Sequence, residues 1–125
     1  MLQKLPQQTE EQLQCTVVAH WLARGTPGSL VAAIPNGGLR SKATAGRLKA
    51  QGVRPGMPDL YCLSPLRQFG FWIELKRPGT KKPEKALSDD QRGVHTLLRD
   101  RGYEVFVSSN LDEVLDVLKS AGILR

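Results

Sequence analysis

The sequence predicts an α/β fold in which a central mixed β-sheet is flanked by α-helices. Three observations carry this. Apolar residues recur at three- and four-residue spacing in stretches near both ends of the chain, the mark of amphipathic helices. Short β-rich runs bounded by turn residues lie between them. Two of those runs are joined by a hairpin-like connection and the last follows a helix, so antiparallel and parallel pairing should coexist. The expected order is αβαββαβα, in a single domain covering residues 1–125.

Thr9 can cap a first helix running to about Arg24, with Leu13, Val17, Val18, Trp21 and Leu22 as its apolar face and Gly25 as its stop. Glu10, Gln14 and Val17 follow one another up one face, which aims two polar side chains toward whatever the stripe covers. Glu10 and Glu11 are also ordinary first-turn acids that favour the helix dipole, and spacing alone prefers that account. Residues 30–34 read as a short buried strand. Pro35-Asn36-Gly37-Gly38 then breaks the pattern; it could line a phosphate track, with Asn36 as the candidate contact, or be a tight turn. Between Arg40 and Arg54 stand five basic residues, Arg40, Lys42, Arg47, Lys49 and Arg54, and no acid. Ser41 can cap a helix here and Gly52 can end it. Such a segment reads as phosphate contacts without base readout, although a solvated helix face has the same composition.

Two prolines make residues 53–58 a loop, after which Asp59 opens a strand over 59–63. Residues 64–70 form the hairpin-like connection, and 71–76 return as the second strand. Period-two alternation puts Phe71, Ile73 and Leu75 on one face and Trp72, Glu74 and Lys76 on the other, so an acid and a lysine share one space. Residues 77–85 carry Lys81, Lys82 and Lys85 among prolines and glycine, a mobile basic loop that could close over a nucleic-acid backbone. Ser88-Asp89-Asp90-Gln91 has a capping-box pattern, and Val94, Leu97 and Leu98 continue a helix to Gly102. Gln91 thus has a structural explanation, and His95, on the same face, reads as a packed or exposed histidine rather than a catalytic one. Residues 103–107 form a strand expected to lie parallel to 71–76, and Asn110 starts a last helix through Val114, Leu115, Val117 and Leu118 to Gly122.

The formal net charge of +6 attracts polyanions, with nucleic acid the favoured partner over an anionic membrane or an acidic protein. Cys15 and Cys62 lie far apart and outside any zinc-type cluster, which predicts two reduced, half-buried thiols. The start of the chain lacks the pattern of a signal peptide and no apolar run is long enough to span a bilayer, so a cytoplasmic protein is expected.

Asp59 and Glu74 on adjacent strands could share a Mg²⁺, whose oxygen preference leaves positions for water and a phosphate oxygen. Lys76 would orient the nucleophile or stabilise the transition state, and Glu10 could hold a second ion if its helix packs beside the sheet. Pro58-Asp59 followed by Glu74-Leu75-Lys76 resembles the core signature of the PD-(D/E)xK nuclease superfamily, with its restriction-endonuclease-like core. With Glu10-x-x-x-Gln14, Pro35-Asn36-Gly37-Gly38, Gly56-Met57-Pro58-Asp59-Leu60 and Leu87-Ser88-x-x-Gln91, the chain is similar to the VRR-NUC branch from about Glu10 to Val107. The resemblance implies that Asp59, Glu74 and the Leu75 carbonyl bind Mg²⁺, with Mn²⁺ able to substitute. It makes Lys76 the catalytic lysine, Glu10 an accessory acid and Gln91 the supporting glutamine. It also implies a stand-alone, structure-selective endonuclease acting as a homodimer on branched DNA, as Holliday-junction resolvases do. The sequence does not locate the dimer surface; the first helix and the apolar segment around Ile123-Leu124 are the candidates.

Two other readings compete: a basic nucleic-acid-binding module without catalysis, carried by the charge and the Arg40–Arg54 cluster, and a flap or other nuclease or phosphoesterase of the same kind.

Overall fold

The computed structural model describes residues 8–35 and 42–125. The expectations placed on Asn36, Arg40 and Ser41 lie outside the described residues. Thr9 caps α1 (Glu10–Arg24): its hydroxyl accepts the Gln12 N–H while the Gln12 side chain accepts the Thr9 N–H. Leu13 and Val17 bury into the core and Val18 and Trp21 pack beside them, but Leu22, expected on the same face, is 74% exposed. It sits one position past Trp21, and the turn of the helix carries it off the stripe.

Strands β1 (Leu30–Ala33), β2 (Leu60–Leu63), β3 (Phe71–Leu75) and β4 (Val105–Ser108) form a mixed sheet in the order β1-β2-β3-β4. The first two pairings are antiparallel and the last is parallel, with Glu74 opposite Val107. Three helices, α2 (Lys42–Ala50), α3 (Asp89–Asp100) and α4 (Leu111–Ser120), complete the order that the sequence predicts. The strands are short: β2 starts one residue after Asp59, β3 ends at Leu75, and β4 starts at Val105 rather than at Tyr103.

One sheet face, with Leu60, Cys62, Ile73 and Leu75, packs on α1 and α4 through Leu13, Val17, Val114, Leu115 and Leu118. Cys62 is buried there while Cys15 is exposed on α1, so neither thiol is half-buried. Burial pushes the Cys62 thiol up to about 12, which keeps it protonated and unreactive. The other face receives α3. Leu97 of that helix is 53% exposed, and the buried position of its stripe is taken by His95.

Two further expectations are corrected. Residues 77–85, expected as a loop without structure of their own, make defined contacts: a 3₁₀ turn spans Pro83–Ala86, Glu84 pairs with Arg99 at 2.9 Å, and Ser109 Oγ donates to the Thr80 carbonyl. Ile123 and Leu124 are 0% and 4% exposed, inside the core, and so offer no surface to a second copy. The Thr26 N–H donates to the Ile123 carbonyl, which ties the C-terminal segment to the end of α1.

Candidate active site

The loop before β2 builds the first part of the site. Gly56 has φ +91° and lies so close to α3 that an added Cβ would stand 2.4 Å from the Asp90 carbonyl oxygen. A residue without a side chain is therefore needed for the loop to meet the first turn of α3. Pro58 and Asp59 follow. The Asp59 carbonyl accepts the Ile34 N–H, extending the β1 ladder by one bond, while Asp59 Oδ2 accepts the Leu75 N–H at 2.6 Å.

That side-chain bond replaces a ladder bond. Leu60 faces Ile73 in the antiparallel register, so the position facing Leu75 belongs to Pro58. Proline has no N–H, and the Leu75 carbonyl accordingly receives no ladder donor from that strand. The Pro-Asp pair thus ends the β2–β3 pairing and ties Asp59 to β3 at Leu75.

Glu74 is 0% exposed, because α3 closes over the face that alternation assigns to it. Its Oε1 lies 3.1 Å from His95 Nε2, in hydrogen-bond contact, whereas no donor among the described residues reaches the buried Oε2. Glu10, at the start of α1, reaches the same place. One carboxylate oxygen from each of Glu10, Asp59 and Glu74 lies within 4.8 Å of the others. Burial, and then the adjoining Asp59 carboxylate, push Glu74 up to about 10 against the opposing pull of Lys76. Partial burial and Asp59 likewise raise Glu10. Burial lowers His95, and Arg99 adds to that.

The donor set suits a hard divalent cation. It consists of oxygen atoms, it crowds three carboxyl groups whose full ionisation needs more opposing charge than Lys76 supplies, and among the described residues it includes a buried carboxylate oxygen without a donor. Lys76 extends beside it, and its Nζ donates to Gln91 Oε1 at 2.8 Å. The same Gln91 oxygen accepts the Ser88 N–H at 2.9 Å, closing the α3 capping box. Gln91 therefore caps its helix and aims the lysine with one atom.

The structure brings Glu10, Asp59, Glu74, Leu75, Lys76 and Gln91 together. A cleft of roughly 490 Å³ opens between Glu10, Gln14, Ala33, Pro35 and Asp59. A larger one, about 750 Å³, lies at the Phe71–Val105 end of the sheet and holds none of the acidic cluster. Lys42, Arg47, Lys49, Arg54, Lys81 and Lys82 are exposed on either side in sequence, and none forms an ion pair among the described residues. The residue that sequence reasoning missed is His95. Its signal was a histidine at a helix position whose neighbours in the stripe, Val94 and Leu98, turn inward.

A mixed sheet flanked by helices, with Asp59, Glu74 and Lys76 at the point where β2 and β3 part, defines a nuclease core of the PD-(D/E)xK type. The VRR-NUC domain model matches residues 2–109, and the chain belongs to that family of nuclease domains. Two solved structures are similar in fold. A VRR_NUC domain protein superimposes with a TM-score of 0.70 at 21% identity, over 96% of this chain and 98% of its own. A second VRR_NUC domain gives 0.58 at 25% identity, over 90% and 97%. No curated protein matches the sequence.

Proposed function

We propose that this chain is a divalent-metal-dependent, structure-selective DNA endonuclease. The observation that carries the reading is the convergence of Glu10, Asp59 and Glu74 within 4.8 Å beside a lysine that Gln91 holds. Asp59, Glu74 and the Leu75 carbonyl would hold Mg²⁺ or Mn²⁺, with Glu10 as a further acid. When bound, such an ion supplies a Lewis acid for the scissile phosphate and a water of lowered pKa. The Lys76 ammonium stands ready to stabilise charge that develops on a phosphate oxygen, and its bond to Gln91 keeps it oriented before substrate arrives. The exposed cations of α2 and of the 77–85 segment are the proposed backbone contacts.

We take residues 1–125 as a single nuclease domain working in the cytoplasm, in keeping with the absence, among the described residues, of a helix able to cross a membrane. Its substrate is branched DNA and its working form a homodimer, which offers two like sites to two strands in the manner of a Holliday-junction resolvase. With Ile123 and Leu124 in the core, the outer face of α1 remains as the dimer surface. The test is cleavage of labelled four-way junction, flap and linear duplex in Mg²⁺ and Mn²⁺ by the wild type and Lys76→Ala. Cleavage of the junction that is lost in the variant supports the reading. No cleavage by either protein in both metals, with metal-independent binding retained, would leave the non-catalytic binding module.

A further inference from the structure

We infer that His95 is a positioning residue that confines Glu74 to one metal-facing oxygen and so sets which divalent cation the site accepts. This rests on the metal-dependent reading above. His95 and Glu74 are both fully enclosed, at 1% and 0% exposure, and their contact is Nε2 to Oε1 at 3.1 Å. Among the described residues His95 Nδ1 is buried without a partner. An imidazole in that state costs stability that an apolar side chain in the same helix stripe would not. What the histidine does there is act on Glu74: with the carboxylate ionised, Nε2–H donates to Oε1, and Oε2, which no donor among the described residues reaches, is the oxygen left for a cation.

That division of the carboxylate has a chemical consequence. Mg²⁺ demands near-ideal octahedral geometry, whereas Ca²⁺ takes more ligands and uses carboxylates in the bidentate mode. A glutamate with one oxygen tied to His95 serves the first and handicaps the second. Gln91 lies four residues earlier on the same helix, so one face of α3 orients both Lys76 and Glu74.

The experiment is calorimetric titration of Mn²⁺ and of Ca²⁺ into the full chain as wild type, His95→Leu and His95→Gln, with circular dichroism of each protein. The wild type is expected to bind Mn²⁺ more tightly than Ca²⁺. His95→Leu should weaken Mn²⁺ by roughly 10- to 100-fold, the usual effect of removing a group that orients a metal ligand. Ca²⁺ should lose less, so the preference narrows. His95→Gln, whose Nε2–H can reach Oε1, should recover the preference. If His95→Leu does not fold, His95→Asn, whose amide falls short of Oε1, is compared with His95→Gln instead. An unchanged Mn²⁺/Ca²⁺ ratio in a folded variant that lacks the donor overturns the role of His95. A wild type that binds neither ion overturns the metal-dependent reading itself.

Discussion

Lys76 Nζ and the Ser88 N–H both donate to Gln91 Oε1, at 2.8 Å and 2.9 Å, so one oxygen belongs at once to the cap of α3 and to the candidate site. The two roles can be separated. Ser88→Ala removes the reciprocal cap and should cost about 1 kcal/mol of stability with little loss of cleavage. Lys76→Ala should leave the melting temperature near that of the wild type and lower the cleavage rate by about 10²- to 10³-fold. Gln91→Ala should lower both. Denaturation curves beside single-turnover cleavage give the comparison, and equal activity of Lys76→Ala and wild type would remove the lysine from the chemistry.

Metal-free stability should fall as pH rises, because Glu74 holds its proton far more tightly when folded than when unfolded. Its carboxyl moves from an ordinary 4.5 to about 10, so its contribution is complete below pH 4.5 and is lost as pH climbs toward 10. His95 works in the opposite sense below its ordinary 6.5, where its buried neutral ring disfavours the native state. The range from about pH 7 to 8 lies above the imidazole and below the ordinary 9.0 of the Cys62 thiol, whose own raised value lowers stability only at higher pH, and so isolates the carboxylates. With EDTA present the melting temperature should drop across that range, and the rise produced by Mn²⁺ should grow with pH, since the ion takes the place of the proton. A metal-induced rise that stays constant or shrinks would contradict a site built on Glu74.

Gly56→Ala should destabilise the protein by more than the 1–2 kcal/mol, roughly, that a left-handed conformation costs an alanine. The added Cβ would also press on the Asp90 backbone at 2.4 Å. Because this contact seats the turn that carries Gln91, cleavage should fall further than stability does. Urea denaturation alongside the cleavage rate checks this, and a wild-type denaturation midpoint would show that the loop meets α3 differently.

Charge removal on either flank should act through salt. Arg47→Ala with Lys49→Ala, and separately Lys81→Ala with Lys82→Ala, should each reduce the slope of log Kd against log salt by about 0.9 for every duplex phosphate that is no longer neutralised. These residues are exposed and form no ion pair among the described residues, so melting temperatures should not change. A pair of substitutions that leaves the slope intact lies off the DNA path.

Ile123→Ala should cost about 2–5 kcal/mol, the usual range for emptying a buried aliphatic site, because Ile123 is fully enclosed in the core. Sedimentation of the folded variant should match the wild type. A change of oligomeric state without loss of stability would return this segment to a subunit interface.

The sequence by itself determined the element order, the N-caps Thr9 and Asn110, the capping box of α3 and the mixed sheet. Each of these depends on neighbours a few residues apart, as Ser88 with Gln91 or Phe71 with Ile73 and Leu75, while the reciprocal bond of Gln12 to Thr9 came only with the structure. It also brought Asp59, Glu74 and Lys76 into one motif, because a proline before an acid and an acid two residues before a lysine are local patterns. Only the tertiary structure decided that Glu74 is enclosed, that Glu10 reaches it from another helix, and that His95 rather than Leu97 turns inward. It likewise placed Ile123 and Leu124, a candidate dimer surface, in the core. The reason is physical: alternation says which residues share a face, but what covers that face depends on the packing of segments distant in the chain.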